Sequence, residues 1–416
     1  MRSPQPSVDR APTTPKPFLP YGRQWVDEAD IQAVAGVLRS DFLTCGSKVE
    51  EFESRFAAMV GADHAVALNS ATSALHVAML VAGAGPGDRV ITTPNTFLAS
   101  ANCAAYTGAT PDFADIDPVS YNLDPAALDG AWRPDTKAVV AVDYAGQPCD
   151  MPAVARLARE RGAIVIEDAC HGVGGGLECD GRVWKLGGHP WADMTVFSFH
   201  PVKTMTTGEG GMLVTGNGAW AERARRFRAH GMERQTFVGL GADDDPALAE
   251  HGTWYYEMQD LGHNYRITDI QCALGISQLA RLDAFVRRRR EIVARYNDAF
   301  RDLPWLVTPG LRNPSNRDHI SWHLYTLQID FESLGKTRTQ VMAELRQKNI
   351  GTQVLYIPVH LQPWYRSRYG YGRGKCPVAE NYYKRALSLP LYPAMTDADV
   401  DRVIDGVREL AETRGR

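Results

Sequence analysis

The segment Ala138–Asp168, AVVAVDYAGQPCDMPAVARLARERGAIVIED, decides the fold class. It begins with the apolar run Ala138–Val142, continues through a helical pattern at Met151–Arg161, and ends with a second apolar run at Ala163–Glu167. Short, almost uniformly apolar strands that alternate with helices are typical of a parallel sheet covered by helices on both faces. The segment therefore predicts a strand–helix–strand unit of an α/β protein.

The same alternation continues on both sides of this unit. Further apolar runs, each expected to be a strand, lie at His64–Leu68, Arg89–Thr93, Thr195–Phe199 and Gly211–Thr215, and a helical pattern fills Thr72–Val81. A first helix is expected after Asp27, which can cap it. Its apolar positions Ile31, Val34 and Leu38 fall on one face.

The pattern changes near residue 281. A long helical segment, Leu279–Phe300, contains the basic run Arg287–Arg290, which we expect to be a solvated helix face. Strand patterns at 324–330 and 352–358, beside a helix at Arg338–Gln347, indicate a smaller α+β domain. We therefore divide the chain into a flexible, proline-rich tail (1–20), a large domain (21–280) and a small C-terminal domain (281–416).

Composition excludes several classes of protein. The 416 residues are 44% hydrophobic and 23% charged, with a net charge of -4, so no basic excess exists for nucleic-acid binding. The longest stretch without Asp, Glu, Lys or Arg, 65–87, is too polar for a membrane span. The N-terminus lacks an apolar signal region, and the seven cysteines form neither a disulfide framework nor a zinc ribbon. We expect a cytoplasmic protein with reduced thiols and no metal, membrane or nucleic-acid partner.

Three polar loops follow apolar strands, at the edge of the sheet where ligands bind in such folds. The loop Asn69–Leu75 can expose the N–H groups of a helix N-terminus to a phosphate, although most such turns are simple helix caps. Asp168 can bind a metal, act as a base, pair with a cation or cap a helix. Lys203 lies in a bend rich in glycine and hydroxyl residues, where a desolvated lysine can form a Schiff base.

The combination of these loops is more specific than any one of them. Pyridoxal phosphate (PLP) needs a lysine for its aldehyde, an acid for its ring nitrogen and donors for its phosphate. Lys203, Asp168 and the hydroxyl of Ser198, five residues before the lysine, supply this set together with the first loop. The sequence therefore predicts PLP-dependent chemistry.

The segment Ser198–Met212, SFHPVKTMTTGEGGM, resembles the lysine motif of the DegT/DnrJ/EryC1/StrS sugar aminotransferases, a branch of the fold-type I PLP enzymes. The resemblance covers nearly the whole chain through the segments TTPNTFLASAN (92–102), GATPDFADIDP (108–118), VIEDACHGVGG (165–175), GHNYRITDIQCALG (262–275) and RALSLPLYP (385–393). It implies a mostly parallel seven-stranded sheet with helices on both faces and a smaller C-terminal α+β domain. Relatives that remove a sugar hydroxyl carry a histidine in place of Lys203, so dehydration is disfavoured.

The resemblance also implies roles for individual residues. Lys203 would hold the cofactor aldehyde and act as the acid and base, and Asp168 would pair with the ring nitrogen. The remaining cofactor contacts would be Ala71, Thr72 and Ser198 at the phosphate, Phe97 stacked on the ring, and His171 beside the cofactor unless it is only a satisfied strand-end histidine. Asn264 would reach the phosphate bound by a neighbouring subunit, which makes the expected assembly a homodimer.

Within the family, the segments NSATSALH (69–76), VDYAGQPCDM (142–151), HGMER (230–234) and LYIPVHLQPWY (355–365) are most similar to the pseudaminic acid branch. That branch implies L-glutamate as amino donor and a UDP-linked 4-keto-6-deoxy-N-acetylhexosamine as acceptor. Its substrate contacts would be Tyr21, Asp41, Phe42, Leu43, Thr44, Lys185, Arg266, Tyr356, Ile357, Pro358, Val359 and His360, with Lys185 and Arg266 at the diphosphate. Tyr21 and Tyr356 are equally compatible with the rim of the core. Another nucleotide-linked keto sugar, or a PLP-binding regulator without turnover, remains the alternative.

Overall fold

The computed structural model describes residues 17–239 and 252–411. Its α-helices are α1 (Glu28–Leu38), α2 (Ser47–Val60), α3 (Ala71–Ala82), α4 (Ala99–Tyr106), α5 (Pro125–Ala131), α6 (Met151–Arg159), α7 (Gly218–Arg228), α8 (Asp269–Leu279), α9 (Leu282–Phe300), α10 (Arg338–Gln347), α11 (Pro363–Tyr369), α12 (Pro377–Arg385) and α13 (Asp397–Arg408). Its strands are β1 (His64–Leu68), β2 (Arg89–Thr92), β3 (Thr110–Phe113), β4 (Thr136–Val142), β5 (Ile164–Asp168), β6 (Gly176–Cys179), β7 (Arg182–Lys185), β8 (Met194–Ser198), β9 (Gly211–Thr215), β10 (Met232–Glu233), β11 (Glu257–Met258), β12 (Leu306–Val307), β13 (Tyr325–Ile329) and β14 (Ala386–Leu389).

Seven strands form the central sheet in the order β1-β9-β8-β5-β4-β2-β3. The pairs from β8 through β3 are parallel, and β9 runs antiparallel to both β1 and β8. This arrangement confirms the predicted α/β class with a mostly parallel, seven-stranded sheet. Because β4, β5 and β8 are parallel neighbours, the residues that follow them meet at one edge of the sheet.

The apolar strands are buried because helices pack on both faces of the sheet. On one face, Val140 and Ile166 lie in a cluster with residues of α3, α4 and α7. On the other face, Val139 and Val165 join a second cluster with residues of α5 and α6. Successive strand residues point to opposite faces, so a strand covered on both sides must be apolar throughout. Truncation of Ile166 to Ala would cost about 2–5 kcal/mol of folding stability.

A second, three-stranded antiparallel sheet has the order β12-β13-β14. Its core contains Tyr296 of α9, Val341 of α10 and Val403 of α13. Helix α9 contributes to two cores, because its first turns, with Leu282 and Val286, pack with the large sheet. The division of the chain near residue 280 stays a prediction.

Three local expectations differ from the structure. The pattern at 352–358 is not a strand, because only Gln353 pairs with Ser388 of β14, and Pro358 has no N–H to continue a ladder. The expected helix from 279 to 300 is interrupted, since α8 ends at Leu279 and α9 begins at Leu282. In α1, Ile31 and Leu38 are 52% and 58% exposed, so their shared face is not buried within this chain.

The prediction that the basic run Arg287–Arg290 is a solvated helix face is wrong for one of its residues. Arg289 is fully buried, and its Nη1 donates to the carbonyl of Leu391 at 2.8 Å. The periodicity of α9 places Arg289 between the core positions Phe285 and Ile292, on the inner side of the helix.

The predicted tail falls partly outside the described residues, which begin at residue 17. Leu19, which the prediction placed in that tail, is buried, and its N–H donates to the carbonyl of Asn349 at 2.9 Å. Within the part of the chain that the structure describes, no helix combines the length and apolar character that a membrane span requires.

Candidate active site

A cavity of about 440 Å³ opens at the carboxyl edge of the central sheet. It brings together nine of the residues that the sequence assigned to a site, namely Tyr21, Ala71, Thr72, Phe97, Asp168, His171, Ser198, Lys203 and Tyr356. These residues come from six separate segments. Four of the segments lie at or after the ends of β1, β2, β5 and β8, so the shared edge of the sheet explains their convergence, and Tyr21 and Tyr356 are added by segments outside that sheet.

One end of the cavity is suited to a phosphate. Helix α3 starts there, and the Ser70 hydroxyl caps it by accepting the N–H of Ser73 at 3.1 Å. The N–H groups of Ala71 and Thr72, in the first turn, have no partner within the helix and carry its positive dipole end. A Cβ on Gly211 of β9 would lie 2.5 Å from the Ala71 nitrogen, so only glycine allows this close approach. The dipole and the two N–H groups favour a bound anion.

Lys203 lies in the bend between β8 and β9. Its backbone N–H donates to the carbonyl of His200 at 2.9 Å, which fixes the turn. Burial lowers the pKa of the Lys203 ammonium, and the nearby Cys170 and Asp168 oppose this effect. A lysine with a lowered pKa gives up its proton more readily than a solvated one, which suits a nucleophile or a base.

Asp168 ends β5 on the floor of the cavity, and its side chain is held on both sides. The Ser100 hydroxyl donates to Oδ2 at 2.6 Å, and the backbone N–H of Cys170 donates to Oδ1 at 3.2 Å. Asp168 is only 4% exposed, so an opposite charge in the cavity would interact with it through little solvent. The arrangement can bind a cationic ring nitrogen.

Two further buried carboxyl groups lie behind Asp168. The His189 imidazole contacts Glu167 at 2.8 Å and the Thr195 hydroxyl donates to it at 2.9 Å. Burial raises the pKa of Glu167, but His189 and these donors outweigh it and hold that pKa below its ordinary value. Burial and the charge of Glu167 raise the pKa of Asp143 well above its usual range. A neutral Asp143 avoids a third buried negative charge beside Asp168.

His171 forms one wall of the cavity in its neutral form. The backbone N–H of Ala145 donates to Nδ1 at 3.1 Å, so Nδ1 carries no proton and Nε2 must carry it. Nε2 then faces the hydroxyl of Tyr356 at 3.2 Å. Burial and the charge of Lys203 lower the pKa of His171 well below its ordinary value.

Comparisons with known proteins identify the family. A model of the DegT/DnrJ/EryC1/StrS aminotransferase family matches residues 24–408. The chain belongs to this family. Spore coat polysaccharide biosynthesis protein SpsC of Bacillus subtilis (strain 168) is 44% identical over 396 residues, covering 95% of this chain and 97% of SpsC.

Two solved structures extend the comparison. PseC of Helicobacter pylori, an aminotransferase involved in the biosynthesis of pseudoaminic acid, has a TM-score of 0.84 at 30% identity and covers 95% of this chain and 100% of PseC. The PLP form of the putative sugar aminotransferase Spr1654 of Streptococcus pneumoniae has a TM-score of 0.83 at 27% identity and covers 95% of this chain and 99% of that protein. The fold-type I prediction is therefore confirmed, and the chain is a sugar aminotransferase.

The DegT family depends on PLP, and the cavity fits this cofactor. A lysine with a lowered pKa can take the aldehyde, and the buried carboxylate of Asp168 can take the ring nitrogen. The start of α3, with Ser198 beside it in the cavity, offers donors for the phosphate. The predicted cofactor is thus consistent with both the family and the donor set.

Several predicted substrate residues, and the predicted cofactor contact Asn264, do not line this cavity of their own chain. Asp41, Phe42, Leu43 and Thr44 form an exposed turn between α1 and α2, Asn264 is exposed, and Arg266 bridges Leu68 at the end of β1. Lys185 of β7 lies in a different cleft, beside Arg287 and Arg290 of α9. Any contact of these residues with a substrate requires a larger ligand or a second chain.

The segment after Tyr356 turns away from the cavity. Ile357 is exposed, whereas Pro358, Val359 and His360 are buried. The Val359 N–H donates to the carbonyl of Pro94 at 3.0 Å, and His360 Nε2 contacts Glu380 at 3.0 Å. Burial lowers the pKa of His360. Within this chain, these residues support the cavity wall that carries Tyr356.

The cavity residues that sequence reasoning missed include Thr96, Ser100, His200, Glu209 and His323. Thr96 and Ser100 stand one turn apart around the predicted stacking residue Phe97, and that spacing was the available signal. His323 is buried with its ring 4.5 Å from that of His171, but it lies 152 residues after His171 in the chain. No local pattern connects the two histidines.

Proposed function

We propose that this sugar aminotransferase moves the amino group of L-glutamate to the C4 keto group of a UDP-linked 4-keto-6-deoxy-N-acetylhexosamine. The product would be UDP-4-amino-4,6-dideoxy-N-acetyl-β-L-altrosamine, for pseudaminic acid synthesis. The observation that carries the transfer chemistry is the pairing of Lys203 and Asp168 across one cavity. The sequence segments of the pseudaminic acid branch and the likeness to PseC support the sugar.

Lys203 performs the proton transfers of both half-reactions. PLP, when bound, provides the group that carries nitrogen between substrates and delocalises the electrons left by a departing proton. The Nζ of Lys203 takes the proton from Cα of L-glutamate and, in the second half, returns a proton to C4 of the sugar. The lowered pKa of Lys203 favours the neutral amine that this base role requires.

The other groups of the cavity bind and orient. Asp168 holds positive charge on the ring nitrogen through an ion pair that burial strengthens. The first turn of α3 and Ser198 would hold the phosphate, and Phe97, 56% exposed and lining the cavity, would pack on the ring. Tyr356, held by His171, faces the substrate side.

We also propose a homodimer in which Asn264 completes the neighbouring site. Asn264 is exposed and does not line the cavity of its own chain. The segment just before it exposes Trp254, Met258 and Leu261 to 62%, 64% and 78%. Apolar side chains exposed together mark a surface that another protein covers, and a second copy would do so symmetrically.

A panel of nucleotide sugars tests the function. The amino form of the enzyme, prepared with L-glutamate, is mixed with single 4-keto and 3-keto sugars linked to UDP, GDP or dTDP, and the return of the visible absorption band is followed. We expect the UDP-linked 4-keto-6-deoxy-N-acetylhexosamine to react fastest, with NMR of the product showing an amino group at C4. If L-glutamate fails to bleach the band, the chain binds PLP without turnover.

A second candidate acceptor is supported by the comparison with SpsC. That protein is 44% identical to this chain and is named for spore coat polysaccharide biosynthesis. Another nucleotide-linked keto sugar of a surface polysaccharide is therefore the alternative. A faster reaction of any other sugar in the panel would favour it.

A further inference from the structure

Ser100 is a buried hydroxyl residue in direct contact with the carboxylate on the cavity floor. It lies in the first turn of α4 and is 1% exposed. Its Oγ is 2.6 Å from Oδ2 of Asp168, a normal distance for a hydrogen bond from a hydroxyl to a carboxylate. A second buried hydroxyl, that of Thr96, lies 2.7 Å from the Ser100 Oγ.

The direction of this hydrogen-bond chain follows from the groups themselves. A carboxylate only accepts, so the single proton of the Ser100 hydroxyl must point at Asp168. The Ser100 oxygen then has only lone pairs left, and the proton in the second contact must come from Thr96. The chain therefore runs from Thr96 through Ser100 to Asp168, and each hydroxyl polarises the next.

This chain acts on the orientation of the Asp168 side chain. Asp168 is 4% exposed, so protein donors rather than solvent hold its two oxygens. With the N–H of Cys170 on Oδ1 and Ser100 on Oδ2, rotation of the carboxylate is fixed.

We propose that Ser100, supported by Thr96, is a positioning residue that holds the Asp168 carboxylate aimed at the ring nitrogen of PLP. The proposal rests on the role given to Asp168 in the proposed function. It assigns no contact between Ser100 and the reacting atoms.

The test compares Ser100→Ala with Ser100→Thr, which keeps the hydroxyl. The matched control is Ser388→Ala, because Ser388 is also fully buried and also pairs with a threonine, Thr326, at 2.8 Å, but does not line the cavity. Three quantities are measured: the dissociation constant of PLP, the protonation of the ring nitrogen by nitrogen NMR with isotope-labelled cofactor, and kcat and KM of each half-reaction.

We expect Ser100→Ala to weaken PLP binding, to lower the protonated fraction of the ring nitrogen and to reduce kcat of both half-reactions by about 10- to 100-fold, the loss of one hydrogen bond to a charged group. KM for both substrates should stay within about twofold, since Ser100 does not touch them. Ser100→Thr should recover most of each quantity, and Ser388→Ala should match the wild type.

Asp168→Asn separates the two ways in which the test can fail. If Asp168→Asn changes ring protonation and PLP affinity while Ser100→Ala matches Ser388→Ala, the positioning role of Ser100 is overturned and that of Asp168 survives. If Asp168→Asn also leaves both quantities unchanged, the role of Asp168 itself fails. Should Ser100→Ala not fold, Thr96→Val is measured instead. If the protonation of the ring nitrogen is unchanged in that variant, the proposed role of the hydrogen-bond chain is overturned.

Discussion

At the scale of single residues, burial gives the cavity its chemistry. Lys203 has a lowered pKa because desolvation disfavours its charged form. His171 is neutral for the same reason, with its tautomer fixed by the N–H of Ala145. The cavity therefore places a lysine with a lowered pKa and a neutral histidine next to the buried acid Asp168.

Replacing Lys203 tests whether the amine, rather than the positive charge, matters. Lys203→Ala should lower turnover by about 100- to 10,000-fold, the usual contribution of a positioned acid and base. Lys203→Arg is the matched control, since it keeps a long cationic side chain that cannot act as a neutral base. Both variants should lose activity equally in a coupled assay for 2-oxoglutarate. Activity of Lys203→Arg near that of the wild type would contradict the base role.

Asp143 gives a prediction about stability and pH. Its pKa is raised above the ordinary value of 3.8 in the folded protein, chiefly by burial. At a pH between the ordinary pKa of the unfolded chain and the raised pKa of the folded protein, the folded state binds a proton that the unfolded chain lacks. Folding stability therefore falls as the pH rises through this interval. Asp143→Asn removes this titration, so its Tm relative to that of the wild type should rise as the pH increases above about 4, the ordinary pKa of an aspartic acid.

The control for this prediction is Asp298→Asn, because the Asp298 side chain is 75% exposed. Its Tm difference from the wild type should show no such slope. The measurement is thermal unfolding of each variant across the pH range. A difference for Asp143→Asn that stays flat or shrinks toward pH 8 would mean that Asp143 is ionised in the folded protein.

At the scale of elements, strands and helices were predictable where local pattern determines them. The run at 211–215 and the helix at 338–347 were predicted with the bounds that the structure gives them. β3 was missed, because Thr110–Phe113 contains a proline and a charged residue that only the edge of a sheet accommodates. Segment 352–358 was wrongly predicted as a strand. Its residues favour a strand, but only Gln353 pairs with a neighbouring strand.

The residues of the site likewise divide into those that local sequence pattern could predict and those that it could not. Residues at the carboxyl ends of strands, such as Asp168 and Ser198, could be proposed because that edge of a parallel sheet is a known place for ligands. His323 could not, because only the packing of two distant segments brings its ring beside His171. Contacts between elements depend on tertiary structure, which local periodicity does not encode.

The meeting of β9 with the start of α3 gives a prediction about an element junction. An added Cβ at Gly211 would lie 2.5 Å from the backbone of Ser70 and Ala71, so Gly211→Ala must push the first turn of α3 out of place. We expect the PLP dissociation constant to rise about tenfold or more, as one or two N–H contacts to the phosphate are lost.

The matched control is Gly216→Ala, just after the same strand. Its Cβ would meet only the carboxylate of Asp63, at an ordinary 3.5 Å. Equilibrium dialysis of PLP against both variants makes the comparison. Equal cofactor affinities for the two variants would show that the first turn of α3 does not bind the phosphate.

At the scale of the whole molecule, one chain alone does not bring all proposed substrate and cofactor contacts together. Asn264 is exposed, and the turn at 41–44 lies apart from the cavity of its own chain. In a symmetric dimer, every contact from one chain to the other also occurs in the opposite direction. Such a dimer can therefore place Asn264 and the turn at 41–44 of each chain at the cavity of its partner. The exposed apolar side chains of Met258 and Leu261 are the surface that such a dimer would cover.

Mixing two defective variants tests this arrangement. In a dimer of one Lys203→Ala chain and one Asn264→Ala chain, one cavity would have both defects, and the other would combine an intact Lys203 with an intact partner Asn264. Random reassociation gives about half mixed dimers with one working site in two, so about a quarter of wild-type activity should return. Unmixed variants, treated identically, are the controls. If the mixture stays as inactive as its components while sedimentation shows mixed dimers, Asn264 serves the cavity of its own chain.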